Sequence, residues 1–373
     1  MATIHNHTGA PHFWFEKTGP TGEPLDILVI RASFDFKSNG DKVTLSQQQS
    51  PVTLGDTFDG PIETNPLRAV VREDGDLVPF KSGTDIVFIG HAQAPSGKPH
   101  TDWLAGVRVG SLRKTLRLHG PRQFRSGWAG WSIGPAQPVT SVALDYRLAY
   151  GGCIDIPAGL APDGQADTLK YAANPAGCGW LPDAVALKGL SKPVRQYIDL
   201  WISNQKTLPA PQIEAVDIPI TAPQQNAIPQ GLGPIARWWA PRLGYQGNYG
   251  DTWHTSRAPL LPADFDSRYY QSASADMVAT PYLQGNESIT LVGLLKERVE
   301  MELPGWKIIA AVQHTSGEHT VSLPVLDTVR FDVDAQQVHL VWRVHFARDN
   351  PVQEISLAAT TQSINTTTSE TSA

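Results

Sequence analysis

The chain has 373 residues, and its 30 lysines and arginines against 36 aspartates and glutamates give a formal net charge of −6. This small negative charge argues against nucleic acid as a partner, and 41% hydrophobic with 18% charged residues exclude a chain that is disordered throughout. The 32 glycines and 30 prolines exceed ordinary usage, so the composition limits helix content and predicts many turns.

The start of the chain and its two cysteines indicate the compartment. Residues 1–7 contain no basic segment followed by an apolar run, so we expect no signal peptide. Cys153 and Cys178 are too few for a disulfide framework, and we expect both to be free thiols in a reducing compartment. Glycines and prolines interrupt the longest uncharged run, residues 126–144, which therefore would not span a bilayer as a helix. The sequence predicts a cytoplasmic protein that does not insert into membranes.

Residues 1–150 predict β structure. Runs rich in β-branched residues lie between Gly/Pro/Ser turns, and some alternate between apolar and polar positions as half-exposed strands do. The predicted strands are residues 25–34, 85–92, 107–110, 112–118 and 139–149.

The centre of the chain, residues 151–276, is rich in Gly, Pro, Asn and Trp and has little periodicity. It predicts one helix over residues 193–202, where Pro193 occupies the first turn, and a second over residues 264–275, capped by Asp264. The rest of the centre is predicted as long loops. Loops of this length in a compact chain are expected to be packed or functional.

Residues 277–358 return to strand patterns. The predicted strands are residues 288–294, 306–312 and 320–323, followed by a hairpin of residues 328–333 and 338–346. Residues 359–373 are rich in Ser and Thr and contain almost no core former, so they predict a disordered tail.

Together these elements predict a mainly β fold, with antiparallel sheets in a sandwich-like body, one or two short helices and long Gly/Pro-rich loops. One domain would cover residues 1–358, with possible β lobes at 1–150 and 277–358 joined by the loop-rich centre at 151–276. Whether the two lobes share one core is open at this stage. The short helices argue against an α/β barrel or a doubly wound sheet.

Complete catalytic signatures are missing from the sequence. It contains no Gly-x-Ser-x-Gly elbow, no phosphate-binding loop and no His-Glu-x-x-His pair. Asp74 and Asp76 flank a glycine in a charged turn, where a solvated loop is the simpler interpretation. We expect no catalytic residue and no cofactor.

A metal site is not expected either. His5, His7 and His12 cluster near the N-terminus, where histidines are usually solvated. His339 and His345 share a strand face but would lie about 20 Å apart, too far to bind one ion. The two cysteines lack the spacing of a zinc pair.

The most suggestive residues are aromatic. Of the 11 tryptophans, several fall in Gly/Pro-rich stretches, namely Trp128, Trp131, Trp238, Trp239 and Trp253. Tryptophan in such loops can pack inward and fill the hydrophobic core, anchor an interface or stack on a carbohydrate. We predict a partner surface on residues 231–253, carried by Trp238, Trp239, Arg242, Tyr249 and Trp253. The open alternative is that these aromatic side chains pack inward while Arg242 binds loop carbonyls.

A series of short motifs occurs in a fixed order along the chain. They include Asp76-Leu-Val-Pro-Phe-Lys81, Ala149-Tyr-Gly-Gly152, Asn174-Pro-Ala-Gly-Cys-Gly179, Trp239-Ala-Pro-Arg242 and Gly247-Asn-Tyr-Gly-Asp-Thr-Trp253. This ordered set resembles the bacterial family called domain of unknown function 2169, over about residues 26–343. Its members are similar to adaptors, or chaperones, that load effectors onto the type VI secretion system.

The resemblance implies a cytoplasmic, non-catalytic adaptor. It would bind a toxin effector through the N-terminal or PAAR-type region of that effector, and would help mount it on the VgrG spike protein. Two alternatives stay open. One is a carbohydrate-active hydrolase that uses loop tryptophans and carboxylates such as Asp264 or Glu287, and the other is a structural component of a larger complex.

Overall fold

The computed structural model describes residues 2–37, 43–160 and 166–361. In the first half of the chain the strands are β1 (Thr3–Asn6), β2 (His12–Thr18), β3 (Pro24–Asp35), β4 (Thr44–Leu45), β5 (Thr57–Asp59), β6 (Val70–Glu73), β7 (Thr84–Ile89), β8 (His91–Gln93), β9 (Asp102–Val109), β10 (Leu112–His119), β11 (Arg122–Gly127), β12 (Gly130–Ile133), β13 (Ser141–Ala143), β14 (Tyr150–Gly151), β15 (Cys153–Ile156), β16 (Asp167–Lys170) and β17 (Cys178–Gly179).

The second half contains the helices and the remaining strands. The helices are α1 (Lys192–Asn204), α2 (Ala240–Leu243) and α3 (Asp251–Ser256). The strands are β18 (Thr207–Ala210), β19 (Ile213–Ala215), β20 (Val278–Ala279), β21 (Ser288–Val292), β22 (Val299–Glu302), β23 (Lys307–His314), β24 (His319–Ser322), β25 (Val325–Asp332), β26 (Gln337–Ala347) and β27 (Val352–Thr360).

A seven-stranded sheet forms the centre of the molecule, in the order β2-β3-β26-β25-β7-β20 with β4 paired to β3. All its pairs are antiparallel except β25–β7. Strands β3 and β26 are apolar along most of their length and buried on both faces. Because β3 pairs with β26, the N-terminal and C-terminal strand sets belong to one sheet.

Two further sheets complete the main core. One is the four-stranded sheet β1-β27-β23-β24, and the other is the five-stranded sheet β19-β10-β9-β21-β22. Burial alternates along β9 and β23, so each of these strands presents one apolar face inward. A single hydrophobic cluster contains Leu340 of the central sheet, Val312 of the four-stranded sheet and Leu291 of the five-stranded sheet. The predicted mainly β fold with antiparallel sheets is confirmed.

A three-stranded sheet, β12-β11-β18, lies outside that cluster and packs on a smaller one built around Phe124 and Trp180. Helix α1 packs against β15 through Val194 and Ile198, which are spaced four residues apart on one helix face. The predicted helix over residues 193–202 is therefore confirmed, with Pro193 in its first turn.

The predicted helix over residues 264–275 is wrong. This stretch forms a 3₁₀ turn at Ser267–Tyr270, capped by Asp266 rather than by Asp264. Beyond the turn, the backbone N–H groups of Ser272 and Ala273 donate to the buried carboxylate of Asp85. These bonds hold the chain in an extended loop, where a helix would have used the same donors internally.

Two other boundaries differ from the prediction. The strand expected over residues 139–149 is limited to β13, because the Asp145 side chain accepts from the Arg147 N–H and caps a 3₁₀ turn. Strand β27, which pairs with β1 and β23 and extends through Thr360, was not predicted from the sequence. Residues 359 and 360 thus belong to a sheet, and the predicted tail from residue 362 onward lies outside the described residues.

Three α-helices occur in the described part of the chain, rather than one or two. None of the helices in residues 2–37, 43–160 and 166–361 has the length and apolar character needed to cross a membrane.

Candidate partner-binding segment

The central segment, which we define as residues 231–253, begins inside the protein. The carbonyl of Leu232 accepts from the N–H of Phe88 in β7, and the N–H of Ile235 donates to Ser272. A Cβ atom placed on Gly231 would lie 2.6 Å from the ring of Tyr146, so only glycine fits there without a shift. The first part of the central segment is thereby fixed to the sheet.

Trp239 lies in the interior. Its side chain has no exposed surface, and its ring meets the ring of Tyr146 edge-on at 5.5 Å between centroids. The adjacent Ala240 N–H donates to the Ala172 carbonyl at 2.8 Å. Trp239 therefore packs as a core side chain, as the inward-packing alternative predicted.

Arg242 is also buried, and it binds loop carbonyls. Its guanidinium donates to the Ile235 carbonyl at 2.8 Å and to the Tyr269 carbonyl at 2.9 and 3.1 Å. It forms an ion pair with Asp74 at 2.9 Å, and both side chains are 3% exposed. Burial alone would raise the pKa of Asp74, but Arg242 and Arg237 outweigh that effect and lower it.

Asp74 belongs to a larger charged cluster on one face of the central sheet. We define the charged cluster as Arg31, Glu73, Asp74, Asp76, Arg242, Arg330 and Arg343. Glu73 accepts from Arg330 at 3.0 Å and from Arg31 at 3.3 Å. Burial raises the pKa of Glu73, yet these two arginines lower it to about 2. A carboxylate that stays ionised in the interior needs such cationic partners.

Backbone contacts extend the charged cluster. Arg343 donates to the carbonyls of Asp76 and Val78 at 2.6 and 2.7 Å, and its Nε binds Asp327 at 2.5 Å. The strand that carries Arg343 is thereby joined to the loop that carries Asp74. The interpretation of Asp74 and Asp76 as a solvated turn is wrong, since they are 2% and 3% exposed.

The outer part of the central segment is more accessible. Tyr249 is 42% exposed and meets the Trp253 ring edge-on at 4.8 Å. Trp253 lies in α3, half-buried, with its indole N–H donating to the Leu260 carbonyl at 2.7 Å. Trp238 is half-buried against Phe58. In this conformation Tyr249 offers a partner the most accessible aromatic surface of the five predicted residues.

Other residues of the central segment line a cavity of about 460 Å³. Pro241, Arg242 and Tyr245 of the central segment line this cavity, together with Arg268 and Val278. The Arg268 guanidinium lies 4.3 Å from the centre of the Tyr245 ring. An apolar cavity with a cation stacked on an aromatic wall is suited to an apolar or acidic side chain of a protein partner. A larger groove of about 970 Å³ runs along β21 and β22 and contains none of the five predicted residues.

The match to a family model covers most of the chain. The model of DUF2169, described as an uncharacterized protein conserved in bacteria, matches residues 21–343. The chain belongs to this family. No curated protein and no solved structure is significantly similar to it. The resemblance predicted from the ordered motifs is confirmed.

Two of the motifs in this DUF2169 chain pack directly against each other. Strand β14, in the motif at residues 149–152, pairs in parallel with β17, in the motif at residues 174–179. Asn174 donates to the carbonyls of Tyr146 and Tyr150, and a Cβ on Gly151 would lie 2.1 Å from the Asn174 carbonyl oxygen. Close backbone contact explains the glycine at position 151, and the two side-chain hydrogen bonds explain the asparagine at position 174.

The carboxylates considered for hydrolysis act as local caps in the DUF2169 chain. Asp264 accepts from the Asn248 N–H at 3.0 Å. Glu287 accepts from the N–H groups of Gln284 and Gly285 at 2.6 and 3.0 Å. Each carboxylate thereby holds a turn in place.

The candidate metal ligands are dispersed. His5 lies 3.2 Å from Glu354, and His12 is hydrogen-bonded to Asn6. Within the described ranges, no three His, Cys, Asp or Glu side chains are grouped as ligands of one ion. Cys153 and Cys178 are free, and burial raises the pKa of the Cys178 thiol to about 12.

The sequence did not predict the charged cluster, although it contained a signal for it. Arg31, Arg330 and Arg343 lie within the predicted strands, each next to an apolar neighbour. A guanidinium inside a strand buried on both faces requires an acidic partner or carbonyls nearby. The charged turn at residues 73–76 was the available source of those partners.

Proposed function

We propose that this DUF2169 protein is a cytoplasmic, non-catalytic adaptor. It binds a type VI secretion effector through the N-terminal or PAAR-type region of that effector and helps load it onto the VgrG spike. The proposal rests on the resemblance carried by the ordered motifs together with one structural observation. That observation is that the segment held at its base by the buried ion pair of Arg242 with Asp74 also lines an apolar cavity and carries the exposed side chain of Tyr249.

A rigid base favours binding for a physical reason. Loops that become ordered only on binding lose conformational entropy at that moment, which weakens the complex. Arg242 and Trp239 hold the base of the central segment, so Tyr249 and Tyr245 are already positioned. Tyrosine offers a large contact area with few rotatable bonds, and it is enriched among the residues that dominate interface energies.

The cavity suggests which part of a partner it would take. Arg268 stacks on Tyr245 and also pairs with Asp266, so its charge is partly neutralised. The lining also contains apolar residues, among them Pro241, Ala273 and Val278, and the uncharged polar residues Ser82, Gln271 and Thr280. An apolar side chain of the effector, inserted beside Tyr245, fits this lining better than a highly charged one.

The experiment is a binding panel with purified proteins. The full chain is titrated calorimetrically with the toxin effector, PAAR-domain protein and VgrG encoded beside its own gene. We expect the effector, or its isolated N-terminal or PAAR-type region, to bind, and Arg268→Ala to weaken that binding. Ile228→Ala is the matched control, because Ile228 is 77% exposed and lies outside the cavity lining. If the wild-type chain binds none of the three proteins, the proposed function is refuted.

A further inference from the structure

The hairpin formed by β11 and β12, which we call the Trp128 hairpin, carries an unusual side chain at its tip. Gly127 pairs with Gly130, so Trp128 and Ala129 form a two-residue turn. Gly130 has a φ of +102°, a conformation that favours glycine after such a turn. Trp128 is fully exposed, whereas the other ten tryptophans of the chain are buried or half-buried.

The hairpin holds this indole on a rigid base. Strand β11 pairs with β12 on one side and with β18 on the other, and the Ser126 N–H donates to the Lys206 carbonyl. At the base, Phe124 is completely buried, and Trp131 packs against the same small hydrophobic cluster. The tip is therefore fixed in position while its largest side chain contacts only solvent.

The charges around the tip have one sign. Strands β11, β12 and β18 contain no aspartate or glutamate. Arg125 and Lys206 are exposed beside the turn, and among the described residues neither lies within 4 Å of a carboxylate. Arg122 at the base is different, since it is paired with the buried Glu214. Although the whole chain has a net charge of −6, Arg125 and Lys206 make the tip around the exposed indole locally cationic.

We propose that the Trp128 hairpin is a docking element for a folded protein that presents an apolar pocket bordered by aspartate or glutamate. Trp128 fills the pocket, and Arg125 and Lys206 pair with its acidic border. Tryptophan and arginine are the residue types that most often dominate interface energies, and complementary charges accelerate association. This goes beyond the proposed function, because it assigns a second surface, built on a different hydrophobic cluster from that of the central segment.

A membrane surface suits this tip less well. Stable attachment to a bilayer needs a broad apolar face or several cations acting together. The tip provides one indole and two free cations, and the negative charge of the whole chain opposes approach to anionic lipids.

The test begins with photo-crosslinking in the native bacterial host. Benzoylphenylalanine replaces Trp128 in the full chain, and the same label at Val185, which is 77% exposed, is the control. The protein crosslinked only from position 128 is identified by mass spectrometry, purified, and titrated with the wild-type chain and its variants. Trp128→Ala should weaken binding at least about 30-fold while leaving the melting temperature unchanged.

Two further variants separate docking from folding. Trp131→Ala on the same hairpin should lower the melting temperature, because Trp131 packs on the interior. The double variant Arg125→Glu and Lys206→Glu should slow association and reverse its dependence on salt, because like charges then face each other and salt screens their repulsion. The proposal is overturned if position 128 crosslinks no more protein than position 185, or if Trp128→Ala binds like wild type. It is also overturned if the chain binds phosphatidylserine-containing vesicles through Trp128 instead.

Discussion

The ion pair between Asp74 and Arg242 offers a direct test of how the central segment is held. Both side chains are 3% exposed, and Arg242 also binds two backbone carbonyls of the loops it joins. Asp74→Asn removes the charge but keeps the shape, and Arg242→Met keeps most of the volume. Each single variant leaves a buried charge without its main partner, which costs about 3 kcal/mol of folding stability or more.

The magnitude translates into a measurable change in melting temperature. Unfolding entropy of roughly 2 cal/mol/K per residue gives about 0.8 kcal/mol/K for a chain of this length, so 3 kcal/mol corresponds to about 4 °C. The double variant should be far less destabilised than the sum of the singles, because it removes both charges together. A coupling free energy of about 2 kcal/mol is expected for such a buried pair.

The assay is equilibrium unfolding in urea, followed by tryptophan fluorescence, for the wild type, both singles and the double variant. A parallel cycle on Arg298 and Glu300, an ion pair whose side chains are each 64% exposed, is the control and should give a coupling below about 1 kcal/mol. Additive effects of Asp74→Asn and Arg242→Met would refute the conclusion that this pair clamps the segment.

Three further predictions concern the interior. His339, whose pKa is lowered to about 3 by burial and then by Arg31, is neutral when folded, so the unfolded chain binds more protons between about pH 3 and 6.5. Stability should therefore fall on acidification below pH 6.5, by up to about 1.4 kcal/mol per pH unit, and His339→Gln should flatten this part of the profile of melting temperature against pH. Gly151→Ala should lower the melting temperature by several degrees, because its Cβ would clash with the Asn174 carbonyl; an unchanged value would contradict the packing explanation. Cys178, with its pKa raised to about 12, should resist alkylation at pH 8 in the folded chain, and mass spectrometry showing rapid labelling would count against its burial.

The strands of the central sheet were predicted well from the sequence, because the spacing of apolar residues and the residue composition are local properties of the chain. The runs at 25–34 and 338–346 contain β-branched and apolar residues in patterns that only a strand satisfies, and they became β3 and β26. Their adjacency in one sheet was not predictable from either run alone. It depends on pairing between residues some 300 positions apart, such as Ser33 and His339, which no local pattern encodes.

The errors arose where a distant side chain controls the backbone. Residues 264–275 have helical spacing, but the carboxylate of Asp85 captures the N–H groups of Ser272 and Ala273. Asp85 itself is held by Lys81 at 2.7 Å. Helix propensity is a weak preference, and the hydrogen bonds to a buried carboxylate outweigh it.

The candidate site was predicted only in part for a similar reason. Composition identified the segment that contains Trp239, Arg242 and Tyr249, but residue type alone does not say which side chain points inward. Trp239 meets Tyr146, and Arg242 meets Asp74, which is 168 positions away along the chain. Tyr249 has no such buried partner, and it stays accessible.

We propose that the inner residues of the central segment hold the fold and that its outer residues bind the effector. The most direct measurement compares Trp239→Ala with Tyr249→Ala, recording the melting temperature and the affinity for the purified effector region for each. We expect Trp239→Ala to lose about 3–5 kcal/mol of stability and to bind normally once folded. Tyr249→Ala should keep its melting temperature and lose affinity by about 1–2 kcal/mol or more. A Tyr249→Ala variant with wild-type affinity, measured with an effector that the wild-type chain does bind, would contradict it.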